Sequence, residues 1–312
     1  MEKSIKKEYN GGVLTQEERT MIYFLLVLTT LATSAKAIIS KMIGQDSRDM
    51  RSMFFLNANM FAVGAIIILL GSLGRISDLF SLSGFSLGLA AVFALSLLFT
   101  QLMQILAMSR GFTSLTSLIY SCGFLVPIFY SAIFLEEPLT LGKVLGILVL
   151  LFSLVLILPP DKNGRFSWLW LALATLAMLG SGANAVIQKI HQASPSRDEL
   201  IPFLLVALTL AALFSLVASL LSKGDSRRLS LYESKRSILL MLLGGMVLGG
   251  MNIANLTLAG QLPAVIQYSV SNILSMTVTA LAGRIIFGER IGTRKLVGFV
   301  LGIAAITVIG IF

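Results

Sequence analysis

Ten runs of about 20 mainly apolar residues, separated by short polar gaps, constrain this chain more than any other feature. Each run is long enough to cross the hydrocarbon core of a bilayer as a helix. They lie at roughly 20–43, 52–73, 85–108, 112–132, 139–158, 167–189, 200–221, 237–258, 263–286 and 291–312. The gaps carry the helix breakers Gly74, Gly111, Pro159, Pro160 and Gly224. No stretch is left for a soluble domain, and residues 1–19 read as a polar tail. A removable signal peptide fits the first run poorly. Its apolar stretch is too long, and Ala35-Lys36-Ala37 puts a lysine inside the small-x-small site. The reading is an all-α, integral, multi-pass membrane protein.

Charge supports this. Charged residues make up 12% of the chain, and the net +9 sits mostly in the short gaps, where membrane loops keep it. The excess is therefore topological, and no nucleic-acid partner is expected; the surroundings are a lipid bilayer. A single cysteine, Cys122, and a single histidine, His191, leave no disulfide framework and no metal cluster. With no ATP-binding loop either, no cofactor is expected. None of the fifteen acidic residues falls mid-span. An exporter that trades protons for cationic drugs needs an embedded carboxylate, so that class is disfavoured. Intramembrane proteases lack their paired Asp or His-Glu spacing here, and the chain is not read as an enzyme.

The two halves repeat. Ser34-Ala35-Lys36-Ala37-Ile38-Ile39-Ser40-Lys41 aligns with Gly182-Ala183-Asn184-Ala185-Val186-Ile187-Gln188-Lys189. Glu137, Lys143 and Gly146 align with Glu289, Lys295 and Gly298 at a spacing of 152, and Gln101 and Gln104 with Asn252 and Asn255 at 151. Residues 20–158 and 167–312 thus form two five-helix repeats. Because five is odd, the second copy enters the membrane from the opposite side. Inverted repeats of this kind are typical of secondary transporters, with the site near the midplane between them.

On these features the chain resembles the EamA-like branch of the drug/metabolite transporter superfamily. Five plus five helices carry the likeness, with Phe134-Leu135-Glu136-Glu137 and Ile286-Phe287-Gly288-Glu289 before the last helix of each half, and a Gly-rich run after each. The resemblance covers about residues 20–312. It implies an alternating-access carrier that exports or exchanges amino acids, sugars, nucleotide sugars or drugs, with the fourth and ninth helices lining a central cavity. A bacterial plasma membrane is the expected location, with cytoplasmic termini.

Polar residues inside the runs are the candidate substrate contacts, because in hydrocarbon each needs a partner or a cavity. Lys36 lies roughly 10 Å inside the first run; it either faces the cavity or snorkels to the interface, as Lys41 and Lys189 are expected to do. Asn184 is its counterpart. Gln101 with Gln104, and Asn252 with Asn255, sit three apart on one helix face. They either bind a neutral or zwitterionic ligand or bond neighbouring helices. Ser114, Ser117 and Ser121 form a stripe beside Tyr120 in the fourth run. In the ninth, Gln267 pairs with Ser271, and Tyr268 with Asn272 and Ser275. Asn57 and Asn59 are weaker candidates. Glu137 and Glu289 are expected to complement the N-terminus of the last helix in their own half. Gly245 with Gly249, Gly142 with Gly146, and Gly298 with Gly302 suit close helix crossings.

The expected function is transport of a small polar solute, neutral or zwitterionic. A carboxylate or phosphate substrate paired with Lys36 is the alternative, and a non-transporting receptor or scaffold is the alternative from another class. One chain carries both repeats, so a monomer suffices; a dimer stays open. Orientation divides the signals. Eight Lys and Arg fall on the side of the termini and fifteen on the other, Lys36 completing the 24. The positive-inside rule alone would set the termini outside.

Overall fold

In a bilayer only a helix satisfies every backbone polar group within one segment, and the apolar runs fold accordingly. The computed structural model describes residues 16–46, 50–73, 82–110, 116, 119–157, 167–222, 235–287 and 292–311. Among these there are ten α-helices and no strand. They are α1 (Gln16–Asp46), α2 (Met50–Gly71), α3 (Gly84–Arg110), α4 (Leu125–Phe134), α5 (Leu141–Ile157), α6 (Trp168–Ala193), α7 (Leu200–Leu221), α8 (Lys235–Gln261), α9 (Ala264–Phe287) and α10 (Thr293–Ile311). The helical segments α2, α3, α6, α7 and α8 are long and apolar enough to cross a membrane. The outward faces also require lipid. Ile133, Leu141, Phe152 and Leu221 are 58–80% exposed, a large apolar surface of the kind a soluble monomer avoids.

Among the described residues, the two largest apolar cores hold the bundle. Phe61, Phe93, Phe203, Leu204, Leu208 and Leu248 join α2, α3, α7 and α8. Ile128, Leu150, Leu154, Ile273, Phe299 and Ile309 join α4, α5, α9 and α10.

The helix pairings come in matched sets when the two halves are exchanged. The α2–α7 and α5–α10 pairs map onto themselves; α3–α6 matches α8–α1, α7–α3 matches α2–α8, and α4–α6 matches α9–α1. Single residues follow the same rule. Gly123 lies against Met178 and Gly182, so that a Cβ there would sit 2.8 Å from the Met178 carbonyl oxygen. The corresponding Ser275 lies against Thr30 and Ser34: its Oγ donates to Thr30 O at 3.3 Å and its carbonyl accepts from Ser34 Oγ at 2.9 Å. Ser153 Oγ donates to Gly298 O at 2.7 Å, and the mirrored Gly146 sits on Ala305.

Glycine makes one crossing possible outright. A Cβ at Gly249 would meet Gly64 O at 3.0 Å and Gly64 Cα at 3.2 Å, and Gly64 in turn faces Gly245. The expected small-residue seam is the α2–α8 interface. The fourth run is not one uniform helix. Helix resumes at Ile119, tightens into a 3-10 turn at Cys122–Phe124 and continues as α4. The tightening coincides with the Gly123–α6 crossing, the kind of local irregularity that marks functional hinges. Its expected start near 112, with Ser114 and Ser117, lies outside the described residues.

Other pairings lack a counterpart of comparable extent among the described residues, α9–α10 and α7–α8 among them. α6 packs along α8, but α1 and α3 make no comparable contact among the described residues.

Candidate functional site

α6 carries the polar face from which the site is built. Ser167 opens the helix by accepting the Trp170 N–H at 3.0 Å, and apart from Thr175 the chain then runs apolar until Ser181. From there Ser181, Asn184, Gln188 and Lys189 project into the bundle at helical spacing. Tyr120 shares a hydrogen bond with Ser181. Asn184 Nδ2 donates to Thr100 Oγ1 on α3 at 3.2 Å. The Tyr268 hydroxyl donates to Ala185 O at 3.3 Å, fastening α9 to α6. Gln188 Nε2 donates to Asn252 Oδ1 at 3.3 Å, and Asn252 Nδ2 to Leu248 O at 2.9 Å. Gln267 Nε2 donates to Asn255 O at 2.9 Å and Asn272 Nδ2 to Ser121 O at 2.7 Å. This polar cluster thus ties α6 to α3 through Asn184, to α8 through Asn252 and to α9 through Tyr268, and α9 to α8 through Gln267 and the Asn255 carbonyl. Tyr120 and Asn272 lie close by, at the α4 crossing.

Not every polar atom there is paired. Asn184 Oδ1 and Gln267 Oε1 are buried without a hydrogen-bond partner among the described residues, as is Ser271 Oγ. A buried acceptor left unpaired costs on the order of 1–3 kcal/mol.

The end of this cluster is sealed by charge. Lys189, 1% exposed, donates from Nζ to Glu137 Oε1 at 3.0 Å and to Leu262 O at 2.6 Å. Glu137 Oε2 accepts the Ala264 N–H at 2.7 Å. Glu136, with φ of 55°, adopts a left-handed turn just before Glu137. Two expectations are corrected here. Lys189 does not snorkel, because a carboxylate from the α4–α5 linker reaches it inside the bundle. Glu137 caps the N-terminus of α9, in the other half, rather than that of α5; the cap acts on free N–H groups and the helix dipole, whichever helix presents them. Lys41's side chain and Glu289, the sequence counterparts, lie outside the described residues.

Lys36 stands apart from this cluster. Ile39 meets Gly244 and Thr33 meets Met251, so α1 runs antiparallel to α8 and parallel to α9. Measured from Ser275, Lys36 lies about four residues further along and Tyr268 seven residues back, a separation of roughly 15 Å along the bundle at 1.5 Å per residue. Half-buried on α1, Lys36 has neither a hydrogen-bond nor an ion-pair partner among the described residues. Gln101 and Gln104 are half-buried on α3. Asn59 Nδ2 bonds back to Phe55 O in its own helix at 2.7 Å.

Some participants escaped the sequence reading. Gln188 stands beside Lys189 and read as part of a polar helix end. Thr100 passed as a neutral residue in an apolar run. At the same end of the molecule Ser83 donates from N and Oγ to Glu199 Oε2 at 3.0 and 2.8 Å, and Ser86 lies 3.5 Å from His191 Nε2. His191 is fully buried and stacks on Phe203 at 4.2 Å. These contacts pin the α6–α7 turn to the start of α3. Among the described residues no three His, Cys, Asp or Glu side chains gather as a metal set.

No family model matches the chain, and no curated protein matches it. A solved structure described only as "Crystal structure of protein" is similar over 93% of this chain and 96% of its own, with a TM-score of 0.71 at 15% identity. At that identity the likeness speaks for the fold, and it extends over both halves.

Proposed function

We propose that the chain is a ten-span secondary carrier of the EamA-like kind, built from two inverted five-helix repeats that rock around a buried polar site. The observation that carries this reading is the set of helix pairings that match when the halves are exchanged, together with a difference at the ends of α6 and α1: α6 packs along α8, while α1 and α3 make no comparable contact among the described residues. In an inverted repeat the complementary state exchanges those roles and opens the site to the other face. The amide cluster supports a small neutral or zwitterionic solute as cargo. A receptor or scaffold has no need of buried amides with unpaired oxygens. The resemblance sets the chain in a bacterial plasma membrane with both termini cytoplasmic, and a reporter fused to either terminus tests that orientation.

The test is uptake into proteoliposomes. Uptake of a neutral or zwitterionic metabolite that saturates and exceeds the protein-free control supports the carrier. Retention of folded protein with no uptake of any polar solute would leave the receptor or scaffold reading. Lys36, a cation without a described partner, favours one second reading, an anionic cargo. Under it Lys36→Gln abolishes uptake of a carboxylate or phosphate solute; unchanged anion uptake would sink it.

A further inference from the structure

We infer that His191 is a proton switch for the α6–α8 contact: its neutral ring holds Gln192 against Gly260, and its protonated ring releases it. The switch goes beyond the carrier reading and needs no cargo.

The neighbours fix which ring nitrogen carries the proton. Gln192 Nε2 lies 3.5 Å from Arg197 O, which can only accept, so that atom is the NH2 group. The same NH2 group lies 3.3 Å from His191 Nδ1 and donates to it. Nδ1 therefore bears no proton, and the neutral ring carries its proton on Nε2. The other side of the ring agrees. Ser86 is hydrogen-bonded to the Glu199 side chain, which already accepts the N–H and the hydroxyl of Ser83. Ser86 gives its single proton to that carboxylate, so toward His191 Nε2, 3.5 Å away, it can only accept.

Gln192 also carries a contact with α8. A Cβ at Gly260 would lie 2.5 Å from Gln192 Oε1 and 3.4 Å from its Cδ, so the amide sits between the imidazole and Gly260. Protonation puts a hydrogen on Nδ1 in front of the NH2 group, donor against donor, and leaves the Nε2 side as it was. Rotating the amide does not restore the fit. Its oxygen would then face Arg197 O, and the bulkier NH2 group would take the place of Oε1 against Gly260. The ring is fully buried and stacks on Phe203 at 4.2 Å, so an added charge has no water around it while the helices are closed. The Nδ1 lone pair thus takes a proton from solvent when α6 and α8 part, and that proton then keeps them apart. Few charges bear on the ring among the described residues. Glu199 acts through Ser86 from the α6–α7 turn, where Arg197 and Asp198 are exposed. Ser86 of α3, Phe203 of α7 and Gly260 of α8 bring none, and Lys189 on α6 is held by Glu137.

His191 is the single histidine of the chain, so isotopically labelled histidine in the full-length protein, purified on a tag without histidine, gives the NMR signals of this one ring. Nitroxides on Ala193→Cys and Gln261→Cys, at exposed ends of α6 and α8, report the helix separation by their dipolar broadening in a Cys122→Ser background. Both signals are followed from about pH 8 to about pH 4, which brackets the ordinary imidazole range. The expected result is an Nε2–H ring at the alkaline end, then protonation and loss of broadening over the same pH range. His191→Gln removes the pH dependence; if that variant does not fold, the coincidence of the two transitions with His191 in place carries the test. An Nδ1–H ring at the alkaline end, a ring that never protonates, protonation with unchanged broadening, or the same pH-dependent opening in folded His191→Gln overturns the switch. No solute is present, so a contact indifferent to pH leaves the carrier reading standing, and absence of solute uptake leaves the switch standing.

Discussion

Two lysines on repeat-related helices, Lys189 on α6 and Lys36 on α1, meet different surroundings. On α6, Gln188 and Lys189 reach α8, the α4–α5 linker and the turn before α9, and both side chains are buried. On α1, Lys36 sits half-buried among its neighbours with no described partner, and α3 keeps its distance. Similar residue types on related helices are thus held differently among the described residues. Local sequence does not separate the two cases. What differs is which other helices have closed over the position, and that is the property an alternating carrier must change.

Removing the seal gives the largest expected effect. Glu137→Ala strands the Lys189 ammonium inside the bundle and uncaps α9, and losing one partner of a buried ion pair costs about 3–5 kcal/mol. The drop in thermal midpoint in detergent measures it, and adding Lys189→Met to Glu137→Ala is expected to recover most of the loss. Next comes the pair of matched crossings. Gly123→Ala drives a methyl to 2.8 Å from the Met178 carbonyl oxygen and 3.2 Å from Ser181, an overpacking worth about 1–3 kcal/mol. At the matched position Ser275→Ala removes one hydrogen bond to Thr30, about 0.5–1.5 kcal/mol. Equal losses at the two positions would mean that the crossings carry equal strain. The smallest effect belongs to Lys36→Met. With no described partner to strand, it is expected to leave the midpoint unchanged or slightly raised. A loss as large as that of Lys189→Met would break the contrast between the two lysines.

The helices were legible because hydrocarbon imposes a length and an apolar pattern on each one. The run at 200–221 coincides with α7, and those at 167–189 and 263–286 begin or end within a residue of α6 and α9. The glycine seam was legible too, since only small residues allow such a crossing. Which helix a polar group would meet was not. Lys189 looked like an interfacial lysine because its partner lies 52 residues away on a linker, and Glu137 looked like the cap of the helix that follows it. Thr100 and Gln188 were missed for the same reason: neither has a pattern of its own, and each acquires a role only when α3 or α8 is packed against α6.

The account rests on the α6–α8 contact opening during each cycle. A Cβ at Gly260 would lie 3.5 Å from Gln192 Cβ, within disulfide reach. Gln192→Cys with Gly260→Cys, in a Cys122→Ser background, therefore locks that contact. Solute flux in proteoliposomes is then compared before oxidation, after oxidation and after reduction. The account predicts that flux stops when the cross-link forms and returns when it is reduced. Full cross-linking with undiminished flux would contradict it.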